Sequence, residues 1–400
     1  MRPVYFDNNA TTRTDPSVVE AMLPYFSEHF GNASSTHAFG AQVGEALKAA
    51  RRQIQALLGA AHDHEIVFTS GGTESDNAAL LSALDVMEAE GRTEIVTTRV
   101  EHQAMLALAA HLEKARGIKV HLVGVDRDGR LDMEAYASAL GPKTAIASVM
   151  WANNETGTLF PVDELARMAH AAGALFHTDA VQAVGKVKVD VASTQIDMLS
   201  LSGHKLHGPK GIGALYVRKG VKFRPLIRGG HQERGRRGGT ENVPAIIGLG
   251  RAAELAARHL EDEQVRVRAL RDRLEQGILQ RIACCMRNGE ADNRLPNTAN
   301  IAFEHLDGEA ILLHLNRAGI AASTGSACTS GSTEPSHVLR AMNLPATALH
   351  GAIRLSLSRE NTGADVDQVL KVLPGIITKL RELSPSWQNR PADRPAARHG

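Results

Sequence analysis

A chain of 400 residues, 43% hydrophobic and with 36 glycines, is longer than one typical domain and can bury a large core, so two domains are expected. Its 45 lysines and arginines nearly cancel 44 aspartates and glutamates, with no long block of one sign. That balance argues against a nucleic acid or an anionic membrane as partner and leaves a small molecule or another protein. Three cysteines, two of them adjacent as Cys284 and Cys285, build neither a disulfide framework nor a spaced zinc site. The opening "MRPVYFDNNATT" lacks the charged and apolar regions of a signal peptide, and no apolar run approaches the roughly eighteen residues of a membrane span. A cytoplasmic protein with reduced thiols is expected.

In chain order, Asp15 caps a first helix whose first turn suits Pro16. Helical patterns then alternate with short apolar runs that read as buried strands: "EIVFTS", "TEIVTTRV", "KVHLVGV", "TAIASVMW", "ALFHTDA", "DMLSLSG" and "GIGALYV". This alternation predicts an α/β domain around a mostly parallel, seven-stranded sheet, over residues 15–257. A long helical stretch from Pro244 to Ile282, charged along one side, bridges to a smaller α+β domain with strands at "TANIAFEHL" and "AIRLSLS". That domain is expected to combine residues 1–14 and 258–384, and the proline- and arginine-rich residues 385–400 are expected to form a disordered tail. In open α/β sheets ligands sit beyond the carboxyl ends of strands, so residues there carry the functional reading.

The first such place is "VFTSGGTESDN", a strand, a Gly71-Gly72 turn, then Thr73 and a helix whose free amides and dipole favour a phosphate; read alone, it is also an ordinary capped turn. His102, after "TTRVE", suits stacking on a ring and moving protons, although it is one of 18 histidines. Asn154 in "MWANNETG" is a neutral donor for a ring oxygen or a carboxylate, or a structural turn residue. Asp179 and Gln182 in "LFHTDAVQAVG" suit a pyridinium nitrogen and a ring hydroxyl, while Asp179 equally suits the cap of a helix starting at Ala180. In "LSLSGHKLHGPKGIG", Lys205 is placed as a Schiff-base nucleophile, with Ser202 and His204 in reach of the same phosphate. The segment "IRGGHQERGRRGGTEN" reads as a solvated basic loop, or as a mobile arm ending in Thr240 that supplies a phosphate hydroxyl to a neighbouring subunit. Arg354 in "HGAIRLSLS" offers a fork for an α-carboxylate, or membership of a partly exposed ion pair. Cys328 lies in "STGSACTSGS" with no apolar neighbour larger than alanine, unlike a buried structural thiol.

Together Asp179-x-x-Gln182, Ser202-x-His204-Lys205 and the Cys328 loop resemble the pyridoxal-phosphate-dependent cysteine desulfurases, of the fold type I shared with aspartate aminotransferase. The likeness runs from "YFDNNATT" to about "LSPSW", and "MWANNETGTLFP", "GGHQERGRRGGTEN" and "RLPNTANIAFEHLDGEAILL" look closest to the nitrogen-fixation (NifS) type. The resemblance implies a homodimer with pyridoxal 5'-phosphate held covalently by Lys205. His102 stacks on the ring, Asp179 and Gln182 bind ring nitrogen and hydroxyl, and Gly72, Thr73, Ser202, His204 and the neighbouring subunit's Thr240 bind phosphate. Asn154 and Arg354 take the substrate carboxylate. It further implies L-cysteine as substrate, alanine as product and an iron-sulfur scaffold protein as recipient, with nitrogenase served in the NifS type. One departure is Thr333, where this family leads one to expect leucine.

The resemblance also gives the loop thiol a purpose, because transamination needs none, whereas desulfuration needs an acceptor that Cys328 supplies as a thiolate and carries as a persulfide. Two other classes compete: a metal hydrolase built on His102, His177, Asp179 and His204, and a non-catalytic iron-sulfur scaffold using Cys328. The first lacks an HExxH-type motif and the second lacks further cysteine ligands.

Overall fold

The computed structural model describes residues 3–324 and 334–390, so Cys328 and Thr333 lie outside the described residues. Strands β1 (Val4–Tyr5), β2 (Ile66–Thr69), β3 (Glu94–Thr98), β4 (Val120–Val123), β5 (Thr144–Ser148), β6 (Leu175–Asp179), β7 (Met198–Ser202) and β8 (Gly213–Val217) precede the long bridging helix. Among them β2 to β8 form one seven-stranded sheet in the order β2-β8-β7-β6-β5-β3-β4. The pairs β3–β4, β3–β5, β5–β6 and β6–β7 are parallel, and β8 runs antiparallel to both its neighbours. Both faces of the sheet are largely buried except at the edge strand β4, where Leu122 is exposed, and successive side chains go to opposite faces. Ile66, Phe68, Leu199, Leu201, Ala214 and Tyr216 enter one apolar cluster, while Val67, Met198, Leu215 and Val217 enter another. Burial on both sides makes these strands read as unbroken apolar runs rather than alternating ones.

The helix Ala38–Leu58 packs on the helix Val243–Asp262 closely enough that the contact needs glycine. A Cβ built on Gly250 would lie 2.7 Å from the Ala50 Cα. The predicted bridge is interrupted: five π-helical residues, Glu263–Val267, separate Val243–Asp262 from the helix Arg268–Arg281.

Beyond it, β9 (Cys285–Arg287), β10 (Thr298–Phe303) and β12 (Ala352–Ser356) form an antiparallel sheet with β10 central, and β11 (Ile320–Ala321) pairs in parallel with β1. The amino-terminal segment thereby joins the carboxyl-terminal part, and Val4 and Phe6 share a third apolar cluster with residues between Val267 and Ile377. The helix Gly363–Leu383 closes this core, its start fixed by a reciprocal Thr362–Asp365 capping box.

Two segments differ from expectation. The arginine-rich stretch is anchored, because Glu233 is buried and its carboxylate accepts from Arg51 at 2.6 and 2.7 Å and from the Phe68 amide at 3.0 Å. Residues 385–390 are built onto the protein: Ser384 caps a short helix, Pro385–Gln388, and the Trp387 ring lies 4.0 Å from the Arg381 guanidinium and 3.6 Å from that of Arg390. Residues 391–400 lie outside the described residues.

Candidate active site

The carboxyl ends of the central strands meet around one cavity of about 370 Å³, lined by Gly72, Thr73, His102, Asn154, Asp179, Gln182, Ser202, His204, Lys205 and Arg354. Ten of the sequence-predicted residues are therefore together, drawn from six places in the chain. Asp179 and Ser202 are the last residues of β6 and β7. Gly72 and Thr73 open the helix that follows β2, His102 caps the helix Gln103–Arg116 after β3, and Asn154 lies in the turn after β5. Arg354 comes from β12 of the smaller sheet, so the cavity lies where the two sheets' structures meet. Thr240 is exposed and outside the cavity of the single chain, and Cys328 lies outside the described residues.

Each side chain is held by something local. Lys205 ends a single 3₁₀ turn, Gly203–Lys205, and its Nζ donates to the Asn9 and Ala10 carbonyls at 2.5 and 2.6 Å. His102 accepts from the Ala104 amide through Nδ1 at 3.2 Å. Asp179 accepts from the Val181 amide at 2.9 Å, but the chain beyond Ala180 forms a turn rather than the alternative capped helix. Arg354 is buried, donating to the Asn154 carbonyl at 3.0 Å and to Asp7 at 2.9 Å, and its Nε has no hydrogen-bond partner. It is thus an ion-pair member, though not an exposed one.

The phosphate cradle expected after β2 meets a structural test. The helix Gly72–Met87 begins at Gly71 without a side-chain cap, which leaves its first amides to an anion. A Cβ on Gly72 would sit 2.9 Å from Val181 Cγ2, so the backbone approaches the adjoining turn only as glycine. Glu74, in the first turn, would repel an anion, but Arg237 pairs with it at 3.0 Å. Thr73, Ser202 and His204 line the same cavity. A pyridine ring with a phosphate arm finds a carboxylate in Asp179, donors in Gln182 and His204, and an amine in Lys205, so the residues present fit pyridoxal phosphate.

Beneath Asp179 lies a buried polar layer that the sequence reading did not assemble. His177 donates to or accepts from Ser148 at 2.8 Å and Ser200 at 2.9 Å, so both ring nitrogens are engaged and it is not aimed at a metal. Burial pushes its pKa down to about 3. Burial, reinforced by the Asp179 charge, raises the Asp76 carboxyl well above the usual range. Burial thus disfavours charge on both partners of the 3.7 Å approach of His177 to Asp76. Burial also raises Glu101 to about 8, against the Met150 amide and Thr98 that favour its anion. Asp179 is raised by burial too, with His102, the Val181 amide and Lys205 drawing it back. Among the described residues no group of three or more histidines, cysteines, aspartates or glutamates is arranged to hold a metal.

The described residues on either side of 325–333 are held by hydrogen bonds, one of them to a cavity-lining residue. Ser323 pairs with Arg354 in a β-bridge, Ser336 donates to Glu155 at 2.6 Å, and His337 Nε2 meets the Glu101 carbonyl at 2.9 Å. Asn9, Ala10, Asp76, Met150, Ala152 and Val181 also line the cavity and were missed. The polar run "FDNNATT" was the available signal for the first two.

Aminotransferase class-V is the family that matches, over residues 4–369. A cysteine desulfurase of Gluconacetobacter diazotrophicus is 71% identical over 98% of this chain and 98% of its own length. The cysteine desulfurase NifS of Azotobacter vinelandii is 60% identical over 99% of this chain and 98% of its own. Among solved structures, a NifS-like protein superposes with a TM-score of 0.88 at 38% identity, covering 94% of this chain and all (100%) of that one. A structure described as SspA in complex with cysteine has a TM-score of 0.78 at 36% identity, over 88% of this chain and 98% of its own. With a family match across most of its length and relatives this similar, the chain belongs to the class-V aminotransferases and, among them, to the cysteine desulfurases.

Proposed function

We propose that the protein removes sulfur from L-cysteine with pyridoxal 5'-phosphate as cofactor, releases L-alanine and carries the sulfur as a persulfide on Cys328. The observation that supports this most is the convergence of Lys205, Asp179, Gln182, His102 and the Gly72–Thr73 helix start on one cavity. When bound, the cofactor supplies an electron sink for carbanion chemistry at the substrate's α carbon. Lys205 holds it covalently, His102 lies against its ring, and Asp179 and Gln182 face ring nitrogen and hydroxyl. Thr73, Ser202, His204 and the helix amides hold the phosphate, joined by Thr240 of the partner subunit in a homodimer. Arg354 and Asn154 orient the substrate carboxylate. The Cys328 thiolate attacks the substrate sulfur: an S–S bond forms, the C–S bond breaks, and the electron pair stays with the substrate carbon, which takes a proton and becomes the methyl group of alanine.

The anchoring of Ser323 and Ser336 beside Arg354 and Glu155 supports a Cys328 loop within reach of that substrate. The relative named NifS supports delivery to an iron-sulfur scaffold that serves nitrogenase. The apolar cluster that joins Val4 and Phe6 to residues between Val267 and Ile377 supports a small domain from residues 1–14 and 258–384 beside a large one, residues 15–257, with Leu295, Val338, Leu339 and Ala352 of the small domain packing into the large domain's core. A cytoplasmic location belongs to the same reading. Among the described residues no helix is long and apolar enough to cross a membrane.

The test is reconstitution of purified protein with pyridoxal phosphate, followed by assay of alanine from L-cysteine in the wild type and Lys205→Ala. Wild type is expected to form alanine and the variant to lose at least about 10³-fold, the scale of losing a covalent anchor and proton carrier. Equal rates in both would contradict the assignment of Lys205.

A further inference from the structure

Lys186 is a buried lysine that none of the proposed roles uses, at 6% exposure. It sits one turn beyond Gln182, and its Nζ donates to the Gln182 carbonyl at 3.1 Å and to the side-chain Oε1 at 3.0 Å. The other end of the same amide, Nε2, donates to the Asn9 carbonyl at 2.9 Å. An ammonium has only donors and a backbone carbonyl only acceptors. Both ends of the Gln182 amide are therefore specified by chemistry: oxygen toward Lys186, nitrogen toward Asn9. Asn9 is also where Lys205 rests, so one carbonyl receives both side chains of the site.

A buried cation needs a counter-charge. Lys186 lines a second, small cavity of about 20 Å³ together with Lys205, His207, His259, Arg359 and Glu263. Glu263 begins the π-helical interruption of the bridging helix, is buried, and keeps Oε2 without a hydrogen-bond partner. Burial lowers the Lys186 ammonium to about 8, and Glu263 is the first of the groups that oppose this.

We infer that Lys186 is a positioning residue that locks Gln182 with its amide NH₂ toward the cofactor site, making it an obligate hydrogen-bond donor to the ring oxygen. Glu263, which lines the same small cavity, is the acidic group that favours its charged form. A cofactor bound there would have its ring oxygen met by a donor, which favours the deprotonated over the protonated oxygen. The inference rests on the reading of the cavity as a pyridoxal phosphate site.

The test is titration of apoprotein with pyridoxal phosphate and a pH series of the visible absorption of the loaded protein, for wild type, Lys186→Met, Gln182→Leu and the double variant. Lys186→Met is expected to weaken cofactor affinity about tenfold, the scale of one charge-assisted hydrogen bond. It is also expected to raise the pH midpoint of the absorption change by about one unit, because the deprotonated oxygen loses its donor. In the Gln182→Leu background the same change should leave the midpoint within about 0.2 unit, since a residue acting through Gln182 has nothing left to orient. An unshifted midpoint in Lys186→Met, or a shift that persists undiminished without Gln182, overturns the inference while the cofactor reading stands. Failure of the wild type to bind pyridoxal phosphate overturns both. Should Lys186→Met not fold, Lys186→Gln, which keeps a neutral donor of similar reach, is expected to give a smaller rise, and no rise there overturns the inference.

Discussion

Replacing Glu233 with alanine removes the anion on which the arginine-rich segment is built. The carboxylate forms a bidentate pair with Arg51 at 2.6 and 2.7 Å and accepts from the Phe68 amide at 3.0 Å in β2, while Glu233 and Arg234 adopt left-handed backbone with φ of 47° and 57°. Arg51 keeps the Ile66 carbonyl at 2.6 Å and the Phe68 ring at 4.5 Å, but its guanidinium is left without a counter-ion at 13% side-chain exposure. Breaking a buried pair from one side costs about 3–5 kcal/mol. With an unfolding entropy of about 2.1 cal/mol/K per residue over the chain, that lowers a cooperative melting temperature by about 4–6 °C. Glu233→Gln keeps one acceptor for Arg51 and the Phe68 amide but also leaves the guanidinium without a counter-ion, and is expected to lose less than alanine does. Thermal melting should be paired with trial trypsin digestion, in which Glu233→Ala is cut after Arg234, Arg236 or Arg237 well before the wild type. A melting temperature within about 1 °C of wild type, with the same cleavage pattern, would refute the anchored arm.

Acid stability and substrate binding give further checks. His177 is held near 3 by burial against an ordinary value of 6.5, so the unfolded chain binds a proton that the folded one does not between those values. Its contribution is complete above pH 6.5 and is lost as pH falls toward 3, by up to about 1.4 kcal/mol per unit. Urea midpoints of His177→Asn should therefore fall less steeply than those of the wild type from pH 6.5 to 4, and parallel slopes would count against a buried neutral imidazole. Arg354→Lys replaces a fork that reaches both Asp7 and the Asn154 carbonyl. It is expected to raise KM for L-cysteine about tenfold or more with a smaller change in kcat, whereas a lower kcat at unchanged KM would remove Arg354 from carboxylate binding.

How much of this was legible depends on where the information lay. The seven apolar runs correspond to β2 through β8, six of them because two-sided burial writes itself into the sequence as continuous hydrophobic stretches, whereas the edge strand β4 is partly exposed. The cavity residues were legible for a related reason: polar groups placed immediately after such runs fall at the carboxyl ends of strands, where this class of sheet binds ligands. Asn9 and Ala10 escaped because they act through backbone carbonyls, which any residue type supplies. Asp76 escaped because its burial comes from the strands beneath it, which the local pattern does not encode. The basic segment was misread because its anchor, Glu233, finds Arg51 across 182 residues of sequence, a distance that local pattern does not encode. Trp387 was hidden likewise, its arginine neighbours suggesting a solvated tail when they enclose the ring.

The central claim is that the sulfur of L-cysteine passes to this chain's own thiol. Mass spectrometry of the cofactor-loaded protein after incubation with L-cysteine, with alanine assayed in parallel and Cys328→Ala as control, tests it most directly. The account predicts one sulfur atom added on the peptide containing Cys328, matched by alanine and absent from the control. Alanine formed at the wild-type rate by Cys328→Ala, or an adduct on Cys284 or Cys285 instead, would contradict it.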